Sequence, residues 1–246
     1  MSVDKVLMKA RKGEGGLYRH ARSVWHALQG FYLPLPRSVA GLLYSERTLR
    51  RRIWSLLLKA LYREPLFRYR CESVGRRLGL EGEIPLIIGD GRIVVGDNVR
   101  IGRRNTWIVG FKVSEGAELV IGDDVSINYQ TTISVAKRVV IGSRSMIAGN
   151  VQIYDNVSHP VDPARRHEPF RLDEASAVII GENVWLGNQA IVMRGVTIGD
   201  NSVVAAASVV TKDVPADVVV AGNPAAIIKR LDGAGPSRLS GSDTSS

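Results

Sequence analysis

From Ile180 onward an aliphatic residue recurs at every sixth position: Ile180, Leu186, Val192, Ile198, Val204 and Val210. The next residue is small at Gly181, Gly187, Gly199 and Ala205, with Met193 and Thr211 as exceptions. Four positions after each aliphatic residue stands a small or β-branched one: Val184, Ala190, Val196, Ser202, Ser208 and Val214. The same phase runs earlier through Val95 and Ile101, through Ile121, Ile127 and Ile133, and through Ile141, Ile147 and Ile153. It breaks at 107–120, 134–140 and 154–179. A period of six matches neither a helical face nor a two-residue alternation. It predicts very short strands separated by corners, each strand turning one aliphatic side chain toward a common axis. Glycine beside that residue suits a corner where a side chain would crowd the turn or where a left-handed φ is needed. A β-sandwich would place its turn signals about every 8–12 residues instead.

Residues 1–80 follow a different pattern. SVAGLLYSERTLRRRIWSLLLKALY reads as a helix, with Leu49, Ile53, Leu56, Leu57 and Ala60 near a helical period and Arg50, Arg51 and Arg52 beside them. HARSVWHALQGFYL reads as a second helix ending before Pro34. Charge separates the two regions further. Residues 1–80 hold 17 Lys and Arg against 5 Asp and Glu, whereas the remainder holds 16 against 19. The net charge of +9 therefore belongs to the N-terminal third, and such a block suggests an anionic partner. No stretch approaches the roughly 18 apolar residues of a membrane span, and the N-terminus lacks the pattern of a secretory signal. One cysteine, Cys71, excludes an internal disulfide framework and a multi-cysteine zinc site, and fits a reducing compartment.

The units VGDNVR, IGDDVS, IGENVW and IGDNSV resemble the signature of hexapeptide-repeat acyltransferases. NYQTTI, MIAGNVQIY, SHPVDP and AGNPAAIIKRL, with the long run from Ile179 to Pro215, are similar to maltose- and galactoside-type O-acetyltransferases and still more to their polysaccharide-modifying relatives. The resemblance covers about half the chain, chiefly 121–231. It implies an all-β fold, a left-handed parallel β-helix over 81–232 with an excursion loop at 154–179. The basic, largely helical region 1–80 precedes it, and a tail over 233–246 is expected to be disordered.

Candidate chemistry concentrates where the repeat breaks. Of four histidines, His20 and His26 lie in the basic region and read as solvated helix residues, whereas His159 stands in DNVSHP, at the start of the longest break. Acyl transfer to a hydroxyl needs a base, and imidazole titrates in the right range. By resemblance His159 is that general base and Asn128, of Asn128-Tyr129, positions the acceptor or the developing charge. Asp155 is not carried over, because the loop is one residue longer than the maltose-type pattern; it stands as an orienter of His159, a ligand of acceptor hydroxyls or a turn residue. Trp185 resembles a position near the acceptor, or packs at a subunit contact. The small-residue strip Ala205, Ala206, Ala207 and Ser208 suits the slim arm of coenzyme A, and Thr211 and Lys212, with Lys229 and Arg230, supply hydroxyl and cation for its phosphates. By resemblance the Ala, Thr and Lys positions line the coenzyme A channel, and the wall segment Gly187-Asn188, with Asn188 beside the cofactor, offers a backbone N–H to the oxyanion. His167 reads as a plain loop residue.

These residues point to an acetyl-CoA-dependent O-acetyltransferase with a sugar or lipid-linked glycan acceptor, by direct transfer and without a metal. The implied assembly is a homotrimer in the cytoplasm, with residues 1–80 on an anionic membrane surface of the inner face. A serine acetyltransferase is the rival within the class; a repeat scaffold or a nucleic-acid-binding protein is the rival outside it, although no nucleic-acid motif is present. A γ-type carbonic anhydrase needs three convergent histidines, and only His159 and His167 lie in the repeat region.

Overall fold

The computed structural model describes residues 16–110, 116–157, 159–160, 162–168 and 172–231; the expected tail over 233–246 lies outside them. The chain divides into two compact units, Met1–Ile53 and Trp54–Ser246.

In the first unit, α1 (Gly16–Gly30) ends ahead of Pro34 and Pro36, which cannot continue it. The second helix, α2 (Arg37–Leu58), opens with the Ala40 amide donating to the Pro36 carbonyl. No described side chain of α2 is buried, and Leu42, Leu49, Ile53, Trp54 and Leu56 all stand in solvent. The helix continues past the predicted end through a π-helical turn, Lys59–Arg63, into α3 (Glu64–Arg70). Pro65 sits at the start of α3, where the wide turn before it accommodates the missing N–H.

The second unit is a left-handed parallel β-helix of six coils. Each coil gives one strand to each of three sheets. The first comprises β1 (Ser73–Val74), β2 (Gly79–Leu80) and β3 (Leu86–Ile88), and the second β4 (Arg92–Val95), β5 (Arg100–Ile101) and β6 (Thr106–Val109). Next come β7 (Glu118–Ile121), β8 (Ser126–Ile127) and β9 (Thr132–Val135), then β10 (Arg138–Ile141), β11 (Met146–Ile147) and β12 (Gln152–Tyr154). After a long excursion the fifth coil has β13 (Val178–Ile180), β14 (Trp185–Leu186) and β15 (Ile191–Val192). The sixth has β16 (Thr197–Ile198), β17 (Val203–Val204) and β18 (Val209–Val210). A hairpin of β19 (Val218–Gly222) and antiparallel β20 (Ala225–Arg230) extends the second sheet. The coil begins at Ser73, ahead of the boundary read from sequence, because its first two strands are not followed by the Gly-Asp signature.

The six-residue phase is the register of this coil. Leu80, Ile101, Ile127, Ile147, Leu186, Val204 and Val220 pair in a continuous column in the second sheet, and all are buried. Each fully buried aliphatic side chain contributes about 1.5–3 kcal/mol, and like stacks on like. The smaller position four residues on is buried as well, and where it is polar it is satisfied. The Ser145 hydroxyl donates to the Gly181 carbonyl and accepts from the Val184 amide.

At three corners the two reasons offered for glycine separate. At Gly142, Gly181 and Gly187 a Cβ would lie 2.3–2.6 Å from atoms of the next coil, so crowding excludes it. The left-handed φ falls two residues later, on Arg144, Asn183 and Gln189 and equally on Asn98, Asp124, Asn150 and Asn201.

The N-terminal end is closed by α3. Phe67 is fully buried and meets Trp107 edge to face, centroids 5.8 Å apart. Arg68 donates to the carbonyls of Val74 and Gly75, and Arg70 to those of Gly89 and Gly91. The short helix α3, Glu64–Arg70, is thus the lid of the coil.

Candidate active site

The prism has three edges, and the candidate residues distribute over them. Between the second and third sheets one edge carries Arg103, Tyr129, Gly149, Asn188 and Ala206 at equivalent corner positions, laced by bonds from each following amide to the carbonyl of the coil before: Gln130 to Arg103, Asn150 to Tyr129, Gln189 to Gly149 and Ala207 to Asn188. Asn128 is exposed on this edge, its Oδ1 accepting from the Tyr129 amide at 3.2 Å. The Tyr129 ring covers Gly149, where a Cβ would stand 2.6 Å from the ring. Asn188 accepts the Gly149 amide through its Oδ1 at 3.1 Å, tying the fifth coil to the fourth. The Gly187 N–H donates to the Val204 carbonyl at 2.8 Å, so it does not serve as an oxyanion donor.

The excursion 155–177 leaves from the edge between the third and first sheets. It is pinned at its root by Asp155, which is fully buried. The Asp155 carboxylate accepts the backbone amides of Ala136, Lys137 and Arg138 at 2.6–2.7 Å and the Asn156 side-chain amide at 2.8 Å. Both oxygens are spent inside the protein, which corrects the substrate-binding and His159-orienting roles considered for this residue. Sequence gave no signal of this, because its three main partners are backbone groups of another corner.

Farther out, Asp162 caps a 3₁₀ turn, Pro163–Arg165, by accepting the Ala164 amide at 2.9 Å. Arg165 pairs with Glu168 at 2.9 Å and faces Glu174 at 3.6 Å, and Arg194 of the coil donates to the Glu174 carbonyl. The turn presents the Arg166 carbonyl 3.2 Å from His159 Nδ1. A carbonyl only accepts, so the neutral imidazole carries its proton on Nδ1, and Nε2 keeps its lone pair. His159 is exposed, as a residue meeting a diffusing substrate must be. His167 is exposed on the same turn.

Thr211 and Lys212 are exposed on the edge from which the excursion leaves, two coils farther on. Lys229 and Arg230 pair with Val219 and Val218 at the entry to β19, near the third edge. Trp185 projects half-exposed from the second sheet between Met146 and Val203. Within the chain, therefore, Asn128, Asn188 and Ala206 share one edge, and the excursion that carries His159 leaves from another, on which Thr211 and Lys212 also lie. Among the described residues no three His, Cys, Asp or Glu side chains converge as metal ligands.

Residues 177–212 match the family model for the bacterial transferase hexapeptide (six repeats). The chain is 43% identical over 93 residues to the galactoside O-acetyltransferase of Escherichia coli, covering 35% of this chain and 44% of that protein. The curated relatives are matched over less than half of their own length. A galactoside acetyltransferase solved with coenzyme A is 31% identical, over 69% of this chain and 70% of that one, with a TM-score of 0.46. A Bacillus cereus N-acyltransferase solved with dTDP-4-amino-4,6-dideoxyglucose and coenzyme A has a TM-score of 0.56 at 21% identity, over 69% of this chain and 89% of that one, and shares the fold. The chain therefore carries the bacterial transferase hexapeptide repeat, and its sequence is similar to that of acetyltransferases over that region.

Proposed function

We propose that this protein transfers an acetyl group from acetyl-CoA to a hydroxyl of a sugar, in the synthesis of a cell-surface polysaccharide or glycolipid. The observation that carries the reading is the exposed His159 ring, held through Nδ1 on the Arg166 carbonyl. Nε2 takes the proton of the acceptor hydroxyl as its oxygen attacks the thioester carbonyl. The tetrahedral adduct then collapses, the C–S bond breaks, and the departing thiolate of CoA recovers the proton from the imidazolium. No acyl-enzyme is needed.

Asn128 orients the acceptor. The low strip at Ala206, with Asn188, accepts the slim arm of the cofactor, and Thr211, Lys212, Lys229 and Arg230 supply hydroxyl and cation for its phosphates. Because these groups stand on different edges of one prism, the site is completed where an edge of one copy meets another edge of its neighbour in a homotrimer. The relatives solved with coenzyme A support the donor, and the galactoside enzyme supports a sugar acceptor.

The test is release of CoA thiol against a panel of free and lipid-linked sugars. Mixing His159→Ala with Asn128→Ala chains under conditions that exchange subunits should restore activity at roughly a quarter of the sites. Two inactive variants that stay inactive on mixing would place both residues in one protomer's site.

We further propose that α2 lies on an anionic membrane surface, with Leu42, Leu49, Ile53 and Trp54 inserted and Arg47, Arg50, Arg51 and Arg52 toward lipid phosphates. Its apolar side chains are exposed, and among the described residues no helix is long and apolar enough to cross a membrane. Sedimentation with phosphatidylglycerol vesicles at low salt should be lost when Arg50, Arg51 and Arg52 are changed to Glu.

A further inference from the structure

At the N-terminal end of the coil a cavity of about 540 Å³ opens between the π-helical turn with α3 and the segment leading into β3. Tyr62, Arg63 and Leu66 line one side; Ile84, Pro85 and Ile87 line the other. Phe67, which closes the coil, forms part of its wall. The size falls in the range of small-molecule sites, and the lining is mostly apolar with few polar groups, as such sites usually are.

The polar groups differ in how they are satisfied. Arg70 has its guanidinium committed to the carbonyls of Gly89 and Gly91. Glu83 stands exposed at the cavity. Arg63 Nη1, by contrast, is buried without a hydrogen-bond partner among the described residues. A buried cationic donor left unpaired is costly, and native proteins rarely leave one so. Arg63 also closes the π-helical turn, where the Glu64 amide reaches back to the Lys59 carbonyl. Such turns give up regular bonding geometry and recur at functional sites. An apolar chamber, a distorted helical turn and a guanidinium nitrogen without an acceptor are three separate observations at one place.

We propose that this chamber is a second ligand site, for an apolar chain ending in an anionic head. The Arg63 guanidinium, turning Nη1 out of its buried setting, donates to the head, and the chain lies along Leu66, Ile84, Pro85 and Ile87. A neutral amphiphile leaves the guanidinium unpaired, and a bare anion leaves the apolar walls wet, so neither fits as well. The site borders the first coil, whereas the His159 excursion leaves after the fourth, about 14 Å farther along an axis that rises ~4.8 Å per coil. It is therefore separate from the proposed acyl-transfer site and does not depend on it.

The experiment is calorimetric titration of the full chain with decanoate and decyl phosphate, both below their micellar concentrations, beside decanol and inorganic phosphate. One molecule of anionic amphiphile per chain should bind saturably, with decanol and phosphate at least tenfold weaker. A preference for decanoate identifies a fatty-acid-like ligand, and one for decyl phosphate a lipid phosphate. Arg63→Met should weaken the anion at least tenfold toward the level of decanol, and Arg63→Lys should recover part of the loss. Leu66→Trp, which fills the chamber from a half-open position, decides the matter should Arg63→Met not fold; it should abolish binding with an unchanged melting curve. Absence of saturable binding, equal affinity in Arg63→Met or Leu66→Trp, or several molecules per chain, as adsorption to exposed helices would give, overturns the site.

Discussion

The six coils and the excursion between the fourth and fifth are held together in opposite ways. In the coils every aliphatic residue rests on its counterpart one turn away, as Ile127, Ile147 and Leu186 do, and the same contact is made over and over. The excursion has no such repetition. It depends on one buried carboxylate at its root and on a few ion pairs around Arg165, and its imidazole is held by a single carbonyl. Redundant packing makes a wall that tolerates no change in shape. A sparsely tethered loop above that wall is free to present an exposed side chain such as His159 without disturbing the packing beneath it.

Several substitutions should pull these two behaviours apart. The largest effect belongs to His159→Ala, which should lower turnover roughly 10²–10⁴-fold without moving the melting temperature, since an exposed ring contributes little packing. Ile147→Ala should do the reverse. It removes a buried stacking residue, costs about 2–5 kcal/mol and lowers the melting temperature by some 2–4 °C per kcal/mol, with near-normal activity in the folded fraction at 20 °C.

Asp155→Asn tests the junction between wall and loop. An amide replaces one acceptor oxygen with a donor that faces the backbone N–H groups of Ala136, Lys137 and Arg138, costing about 1.5–3 kcal/mol. Both stability and turnover should fall, while the pH dependence of turnover keeps its midpoint. A shifted midpoint would mean that Asp155 acts on His159 directly. Glu174→Gln should reduce turnover only a few-fold, through the Arg165 turn, and leave thermal unfolding of the coil untouched.

The smallest effect lies at the other end of the molecule. Burial pushes the Cys71 thiol up to about 12. Its folded state thus holds the proton above the ordinary thiol range, so the associated stability is complete below about pH 9 and is lost as pH rises toward 12. Cys71→Ala should flatten that part of the alkaline melting profile, and the wild-type thiol should resist alkylation at pH 8 until the chain unfolds.

Much of this arrangement can be read from residue order. The run from Ile180 to Val210 states the register outright, and the breaks locate the excursion and His159. The corner conformation is legible only in part, since glycine marks the crowded position while the left-handed φ falls on Asn98, Asp124, Asn150, Asn183, Gln189 and Asn201. Other features leave no trace in one sequence. The first coil is hidden because Val74 and Leu80 lack the accompanying signature, and the role of Phe67 emerges only when Trp107 is placed beneath it. The burial of Asp155 depends on amides that every sequence possesses. Asn128 and His159 are 31 positions apart in sequence, yet nothing in that spacing reveals that they stand on separate edges of the prism.

One property of the coil bears on how such proteins can change. Strands of the third sheet give way to strands of the first at 110–117 and again at 155–177, so both long detours depart from the same edge. An insertion of any length there returns the chain to its starting face and leaves later turns undisturbed. Six residues added elsewhere would rotate everything downstream by one face, and only a whole circuit of about eighteen would be silent. New loops can therefore be acquired along that seam while the rest of the prism stays fixed.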